Sequence, residues 1–170
     1  MTYRAAVITI SDRVSRGEQE DVSGAEAEAM LSAGGFEVSR RTVVPDDHDA
    51  ITTALLDQIR ANIDLVVTTG GTGLAPRDVT PEATRSVVTK EVPGLSQLML
   101  LAGLVKTPHA SLSRAVVGVR DRTLIVNLPG NTGAVRDGLE VAIPVLSHAL
   151  DTMTGRAEHA GSDHPPDPGN

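Results

Sequence analysis

Residues 64–83 read Asp64-Leu65-Val66-Val67-Thr68-Thr69-Gly70-Gly71-Thr72-Gly73-Leu74-Ala75-Pro76-Arg77-Asp78-Val79-Thr80-Pro81-Glu82-Ala83, and they limit the fold more than any other stretch. A short apolar run passes into a loop dense in Gly, Thr and Pro, and then into a marked helix start. Thr80 reads as the N-cap, Pro81 suits the first helical position, and Glu82 complements the helix dipole. Strand, glycine loop, helix is the order in which α/β proteins bind phosphate. Glycines let the ligand approach the backbone, and unpaired amides at the helix start favour negative charge. Neither familiar fingerprint is present: no lysine ends the loop as in a Walker A sequence, and the third glycine of a dinucleotide motif falls on Pro76.

The rest of the chain supplies matching units. Residues 5–10 form a β-branched apolar run suited to a strand buried on both faces, with Ser11, Asp12 and Arg13 at its C-terminal end. Residues 14–22 read as a polar loop. Ser23-Gly24-Ala25-Glu26 has capping-box spacing and predicts a helix to about Ala33, stopped by Gly34-Gly35. Residues 36–44 form a more polar strand nearer an edge, and Pro45-Asp46-Asp47-His48-Asp49 then opens a helix running to about Asn62. A helix over 80–90 leads to the aliphatic stretch 95–104, which implies burial on more than one face, inside the domain or in a subunit interface. Strands over 116–119 and 123–128 flank a turn at Asp121-Arg122 and must be antiparallel. Pro129-Gly130-Asn131-Thr132-Gly133 is a second glycine loop before a helix over 134–153, where Pro144 predicts a kink.

The predicted fold is α/β and three-layered. A doubly wound, mostly parallel sheet has one antiparallel edge strand and helices on both faces. Residues 1–155 read as a single domain, and 156–170 as a disordered tail.

The core must be aliphatic, because the chain has one Phe, one Tyr and no Trp. Scarce aromatics and a net charge of −7 argue against nucleic acid as a partner. An anionic ligand must therefore be held by local arginines and backbone amides. The absence of cysteine removes disulfides, thiolate metal sites and a thiol nucleophile. No leader pattern and no long apolar run is present, so no membrane partner and a cytoplasmic location are expected. The histidines lack zinc-protease spacing, and there is no Gly-x-Ser-x-Gly elbow.

The loops beginning at Ser11, Thr68 and Leu128 can converge at the C-terminal edge of one sheet, where doubly wound proteins bind ligands. Gly70, Gly71, Gly73 and Gly130 would let a ligand reach the backbone, with Thr69, Thr72 and Thr80 adding hydroxyls. Arg13, Arg77 and Arg114 are candidates to neutralise phosphate. Asp46 and Asp78 are the candidate carboxylates for a divalent cation bridging phosphate oxygens. Glu82 reads as a dipole partner or supporting group, and Ser111 and Ser113 as possible ligands of substrate oxygens.

Thr-Thr-Gly-Gly-Thr-Gly followed by Arg77-Asp78-Val79-Thr80-Pro81-Glu82-Ala83 resembles the signature of the Mog/MoaB group of molybdenum cofactor biosynthesis. That group includes molybdopterin adenylyltransferases and gephyrin-like domains. The resemblance extends from Ile8-Thr9-Ile10-Ser11-Asp12-Arg13 through Leu112-Ser113-Arg114 to Asn127-Leu128-Pro129-Gly130. It implies magnesium-dependent transfer of AMP from ATP to the terminal phosphate of molybdopterin, with release of pyrophosphate. It further implies that Asp46 and Asp78 are functionally important, that Arg114 is the best placed arginine, and that Ser113, Asn127, Pro129 and Gly130 belong to the site. A homotrimer and a downstream metal-insertion enzyme are the implied partners. The alternative within the group is a carrier or regulatory member that binds molybdopterin or nucleotide without turnover.

Overall fold

The computed structural model describes residues 2–156. The expectation of a disordered tail concerns 157–170 almost entirely, and those residues lie outside the described part. The strands are β1 (Arg4–Ile10), β2 (Glu37–Val44), β3 (Leu65–Thr69), β4 (Lys90–Glu91), β5 (Val117–Arg120) and β6 (Thr123–Leu128). The helices are α1 (Asp12–Ser15), α2 (Val22–Ala33), α3 (His48–Arg60), α4 (Thr80–Val87), α5 (Pro93–Lys106) and α6 (Thr132–Met153), with a 3-10 turn at Pro108–Leu112.

One six-stranded sheet has the order β2-β1-β3-β6-β5-β4. β2, β1, β3 and β6 pair in parallel, and β5 pairs antiparallel with both β6 and β4. The central strands are apolar on both faces because both faces are covered. Val7, Val67 and Val126 point to the side where Leu31 of α2, Met99 of α5 and Leu139 of α6 pack. Ile8, Val66 and Ile125 point to the other side, against Ile51 and Leu55 of α3 and Ala83 and Val87 of α4. Successive residues of one strand thus feed two separate cores, which is why the runs show no alternation.

Four helices are capped by the residue before them: Ser11, Asp21, Asp47 and Asn131 each accept a backbone N–H in the first turn. α4 and α5 have no side-chain cap and instead carry Pro in their first turn.

Several boundaries differ from expectation, each for a local reason. α1 is a four-residue helix that starts at Asp12 and runs into the predicted polar loop, too short to show periodicity. Asp21, not Ser23, caps α2: its carboxylate accepts Gly24 N–H at 2.9 Å and also Thr9 Oγ1. Val79 occupies the N-cap position of α4, because Thr80 turns its hydroxyl back to donate to Gly70 O at 2.9 Å. α4 ends at Val87, and β4 follows it. The expected antiparallel edge is present but is built from two strands, since β4 pairs antiparallel outside β5 and leaves a charged two-residue strand outermost. α6 continues through Pro144 as one helix.

Candidate functional site

Adjacent parallel strands β1, β3 and β6 deliver their C-terminal ends side by side. Ser11, Gly70 and the 129–131 loop consequently meet at one edge of the sheet. Gly70 is the closest point: its amide donates to Leu128 O at 3.0 Å, while a Cβ there would lie 2.2 Å from Ile10 O. Its φ of +98° also requires glycine. A Cβ on Gly130 would fall 3.3 Å from Gly70 Cα. The three loops therefore contact one another backbone to backbone.

The glycine loop is held from behind by Arg114. Its Nε donates to Gly73 O at 2.8 Å, its Nη2 to Asp78 O at 2.8 Å, and its Nη1 pairs with Glu82. Arg114 N–H also donates to Thr72 O at 2.9 Å. The guanidinium expected to meet phosphate thus binds loop carbonyls, and its hydrogen bond to Glu82 holds that carboxyl below its ordinary range. Within the loop, Asp78 Oδ2 accepts Ala75 N–H at 3.0 Å, and Asp78 N–H donates back to Ala75 O.

Asp12 and Asp46 exchange backbone and side-chain hydrogen bonds. Asp46 Oδ2 accepts Asp12 N–H at 2.8 Å, and Asp12 Oδ1 accepts Asp46 N–H at 3.0 Å. Arg77 grips the same Asp12 carboxylate with Nε and Nη2, which lowers the Asp12 carboxyl from its usual range. Asp46 moves the other way. Burial raises it, and the charges of Asp12 and Asp78 add to that direction. A Cβ on Gly71 would lie 3.1 Å from Asp46 Oδ1, so bare backbone borders the carboxylate.

The remaining predicted residues divide between ligand-facing and structural positions. Ser11, Thr69, Gly70 and Gly71 line a polar cleft of about 580 Å³ together with Asp46, Asp78, Gly130 and Asn131. Thr72, Gly73, Ser113, Pro129 and Gly130 line a second cavity of about 720 Å³ between the loops, α5, the 3-10 turn and α6, with apolar walls from Met99, Leu100 and Leu112. Asn127 borders that cavity, but its side chain is engaged elsewhere. Its Nδ2 donates to Thr68 Oγ1 and Thr84 Oγ1, and its Oδ1 accepts Val116 N–H. Arg13 is exposed. Asn131, Ser23 and Asp137 line the cavities without having been singled out. Asn131 could have been found as the polar residue before a helix, whereas only the packing of α6 brings Asp137 to a cavity wall.

The two cavities share Gly71, Asp78, Gly130 and Asn131. Ligands in both would meet at the glycine loop beside Asp78. The donor set fits magnesium, a hard cation satisfied by one or two carboxylates, water and phosphate oxygens. Asp46 and Asp78 would supply the carboxylates, and the Asp46 carboxyl is raised chiefly by burial, with the charges of Asp12 and Asp78 adding to that direction. Among the described residues no three acidic or histidine side chains gather to form an all-protein cage. Also among them, no helix is long and apolar enough to cross a membrane.

Residues 6–148 match the family model described as a probable molybdopterin binding domain. A molybdopterin adenylyltransferase of Helicobacter pylori (strain J99 / ATCC 700824) is 40% identical over 158 residues, covering 91% of this chain and 89% of the relative. Gephyrin of Dictyostelium discoideum is 38% identical over 88% of this chain, which spans 22% of that longer protein. The crystal structure of the molybdopterin biosynthesis enzyme MoaB from Thermus thermophilus is 50% identical, with a TM-score of 0.85 over 91% of this chain and 98% of that one. The match over residues 6–148 and the 40% identity across most of both chains, on the fold and glycine loop described above, show that the chain belongs to the molybdopterin-binding family of molybdenum cofactor biosynthesis.

Proposed function

We propose that the protein is a molybdopterin adenylyltransferase, transferring AMP from ATP to the terminal phosphate of molybdopterin and releasing pyrophosphate. The observation that carries this reading is the pair of cavities sharing one wall at Gly71, Asp78, Gly130 and Asn131. Two substrates must abut for direct transfer, and holding them so converts a bimolecular encounter into a positioned one. The polar cleft suits a magnesium-bound triphosphate: hydroxyls and approachable backbone at Ser11, Thr69, Gly70 and Gly71 stand beside the carboxylates of Glu20, Asp46 and Asp78. The larger cavity suits a flat heterocycle, with apolar walls from Met99, Leu100 and Leu112 beside polar side chains that include Gln97, Lys106, Ser113 and Asp137.

The terminal phosphate of molybdopterin attacks the α-phosphorus of ATP. A new P–O bond forms as the bond from the α-phosphorus to the β-bridging oxygen breaks, and both electrons leave with pyrophosphate. The nucleophile is already an oxyanion, so no general base is needed. Magnesium held by Asp46 and Asp78 would neutralise charge on the phosphate oxygens. The chain's own part is orientation. Asp12 N–H fixes the Asp46 carboxylate, and Arg114 fixes the loop that presents Asp78.

The alternative is a carrier or regulatory member that binds molybdopterin or nucleotide without turnover. Asp46→Ala and Asp78→Ala distinguish the two. On the enzyme reading each variant keeps molybdopterin binding and loses transfer; turnover retained in either removes the cation assignment.

A homotrimer is part of the proposal. Leu98, Leu101, Leu104 and Val105 follow helical spacing on the outer face of α5, and Leu101 and Val105 are 62% and 83% exposed. Such a stripe on a monomer surface suits an interface between copies. Action in the cytoplasm, residues 1–155 as a single molybdopterin-binding domain, and delivery of the product to a metal-insertion enzyme complete the reading.

A further inference from the structure

Asp137 stands apart from the other acids of the site. It lies on α6, half-buried, and lines the larger cavity together with Ala134 and Gly138 of the same helix. Its neighbour Arg136 turns away to pair with Glu26. Among the described residues no side chain is hydrogen-bonded to the Asp137 carboxylate, and no cation lies within ion-pair distance of it. Asp137 lines the cavity from a half-buried position, so its carboxylate is within reach of a ligand there.

A carboxylate accepts hydrogen bonds and cannot donate them when ionised. It therefore selects a ligand edge that offers two adjacent donors, as a guanidinium does. The 2-amino-4-oxo edge of a pterin offers that pair, N3–H and the 2-amino N–H. Adenine does not, because its exocyclic amine is flanked by acceptor nitrogens. Among the two substrates of the proposed reaction, the acid on this wall favours one ring and disfavours the other.

We propose that Asp137 reads the 2-amino-4-oxo edge of the pterin in the larger cavity, fixing the orientation of molybdopterin and keeping the adenine of ATP in the polar cleft. This rests on the adenylyltransferase reading above. Asp137 acts here as a specificity-determining residue: it touches the heterocycle and takes no part in bond making at phosphorus. With the pterin edge held at α6, the opposite end of the molecule extends toward the wall shared with the cleft at Gly130 and Asp78.

The test compares the full-length wild type with Asp137→Asn by calorimetric titration of molybdopterin and, separately, of magnesium-ATP. Asn keeps the side-chain size but turns one acceptor into a donor facing a donor. The expected result is an affinity for molybdopterin about 10–100-fold weaker, the range lost with a charge-assisted hydrogen bond. Magnesium-ATP affinity and the thermal midpoint stay unchanged, which separates recognition from folding. Wild-type affinity retained in Asp137→Asn overturns the inference while leaving the adenylyltransferase reading intact; a wild type that binds no molybdopterin overturns that reading itself. Guanine carries the same donor pair, so GMP forms a second arm. Tighter binding of GMP than of molybdopterin, lost in Asp137→Asn, reassigns the cavity to a guanine nucleotide and overturns the pterin assignment.

Discussion

Replacing Arg114 with Met separates two roles that a cation beside a phosphate loop can have. Met keeps much of the aliphatic stem and removes the guanidinium, so Gly73 O and Asp78 O lose their donors and Glu82 loses its ion pair. A hydrogen bond from a charged donor is worth about 1.5–3 kcal/mol. The Arg114 side chain is 32% exposed, which places its two carbonyl bonds at the low end of that range. The pair with the half-exposed Glu82 adds under about 1 kcal/mol. The expected loss is about 3 kcal/mol, equivalent to a melting point lower by roughly 6–12 °C for a domain of this size. Urea unfolding measures the first quantity and calorimetry the second. Hydrogen exchange at the Ala75 and Asp78 amides, which close the loop on itself, should accelerate in parallel. A loss under about 0.5 kcal/mol with unchanged exchange, alongside weakened phosphate binding, would refute the clamp and return Arg114 to ligand binding.

Three further outcomes follow from the same geometry. Gly70→Ala must find about 1 Å of space against the Ile10 carbonyl and also hold a left-handed φ, so its stability should fall by about 3 kcal/mol or more, with nucleotide binding lost; a variant within about 1 kcal/mol of wild type contradicts the packing of the three loops. Leu101→Asp or Val105→Asp should leave the monomer fold unchanged in circular dichroism and shift the species seen by light scattering from trimer to monomer, whereas a wild type already monomeric at micromolar concentration removes the trimer proposal. Because burial raises the Asp46 carboxyl, the folded state holds that proton more tightly than the unfolded chain, so the group favours folding at low pH and loses that contribution as pH rises through its raised value. The proton also competes with a cation, so magnesium affinity measured by calorimetry should fall as pH drops through the same window, and a flat affinity across the acidic range contradicts the Asp46 assignment.

Much of this architecture is written in local pattern. The runs at β1, β3 and β6 lack alternation because both faces of those strands are buried, and that signal survives in a single sequence. The glycines at 70 and 71 announce a loop whose backbone needs positive φ and close approach. What escaped detection depends on partners distant in the chain. β4 exists because Val119 and Gly118 offer backbone groups to Lys90 and Glu91, and two residues carry no periodicity of their own. Asp21 outcompetes Ser23 as a cap because Thr9, at the end of β1, also binds its carboxylate. Arg114 reads as a phosphate ligand in sequence, since a cation near a glycine loop looks the same whether it faces substrate or the carbonyls behind the loop. Asn127 has the same ambiguity, and its three protein partners lie on β3, on α4 and just before β5.

The central claim is direct transfer between two substrates that meet at the glycine loop. Its most direct test is pyrophosphate release from ATP in the presence of magnesium, with and without molybdopterin, using Asp78→Ala as control. Direct transfer predicts release that requires molybdopterin and disappears in the variant. Molybdopterin bound without any release would contradict it and leave the protein as a carrier or regulatory member of its family.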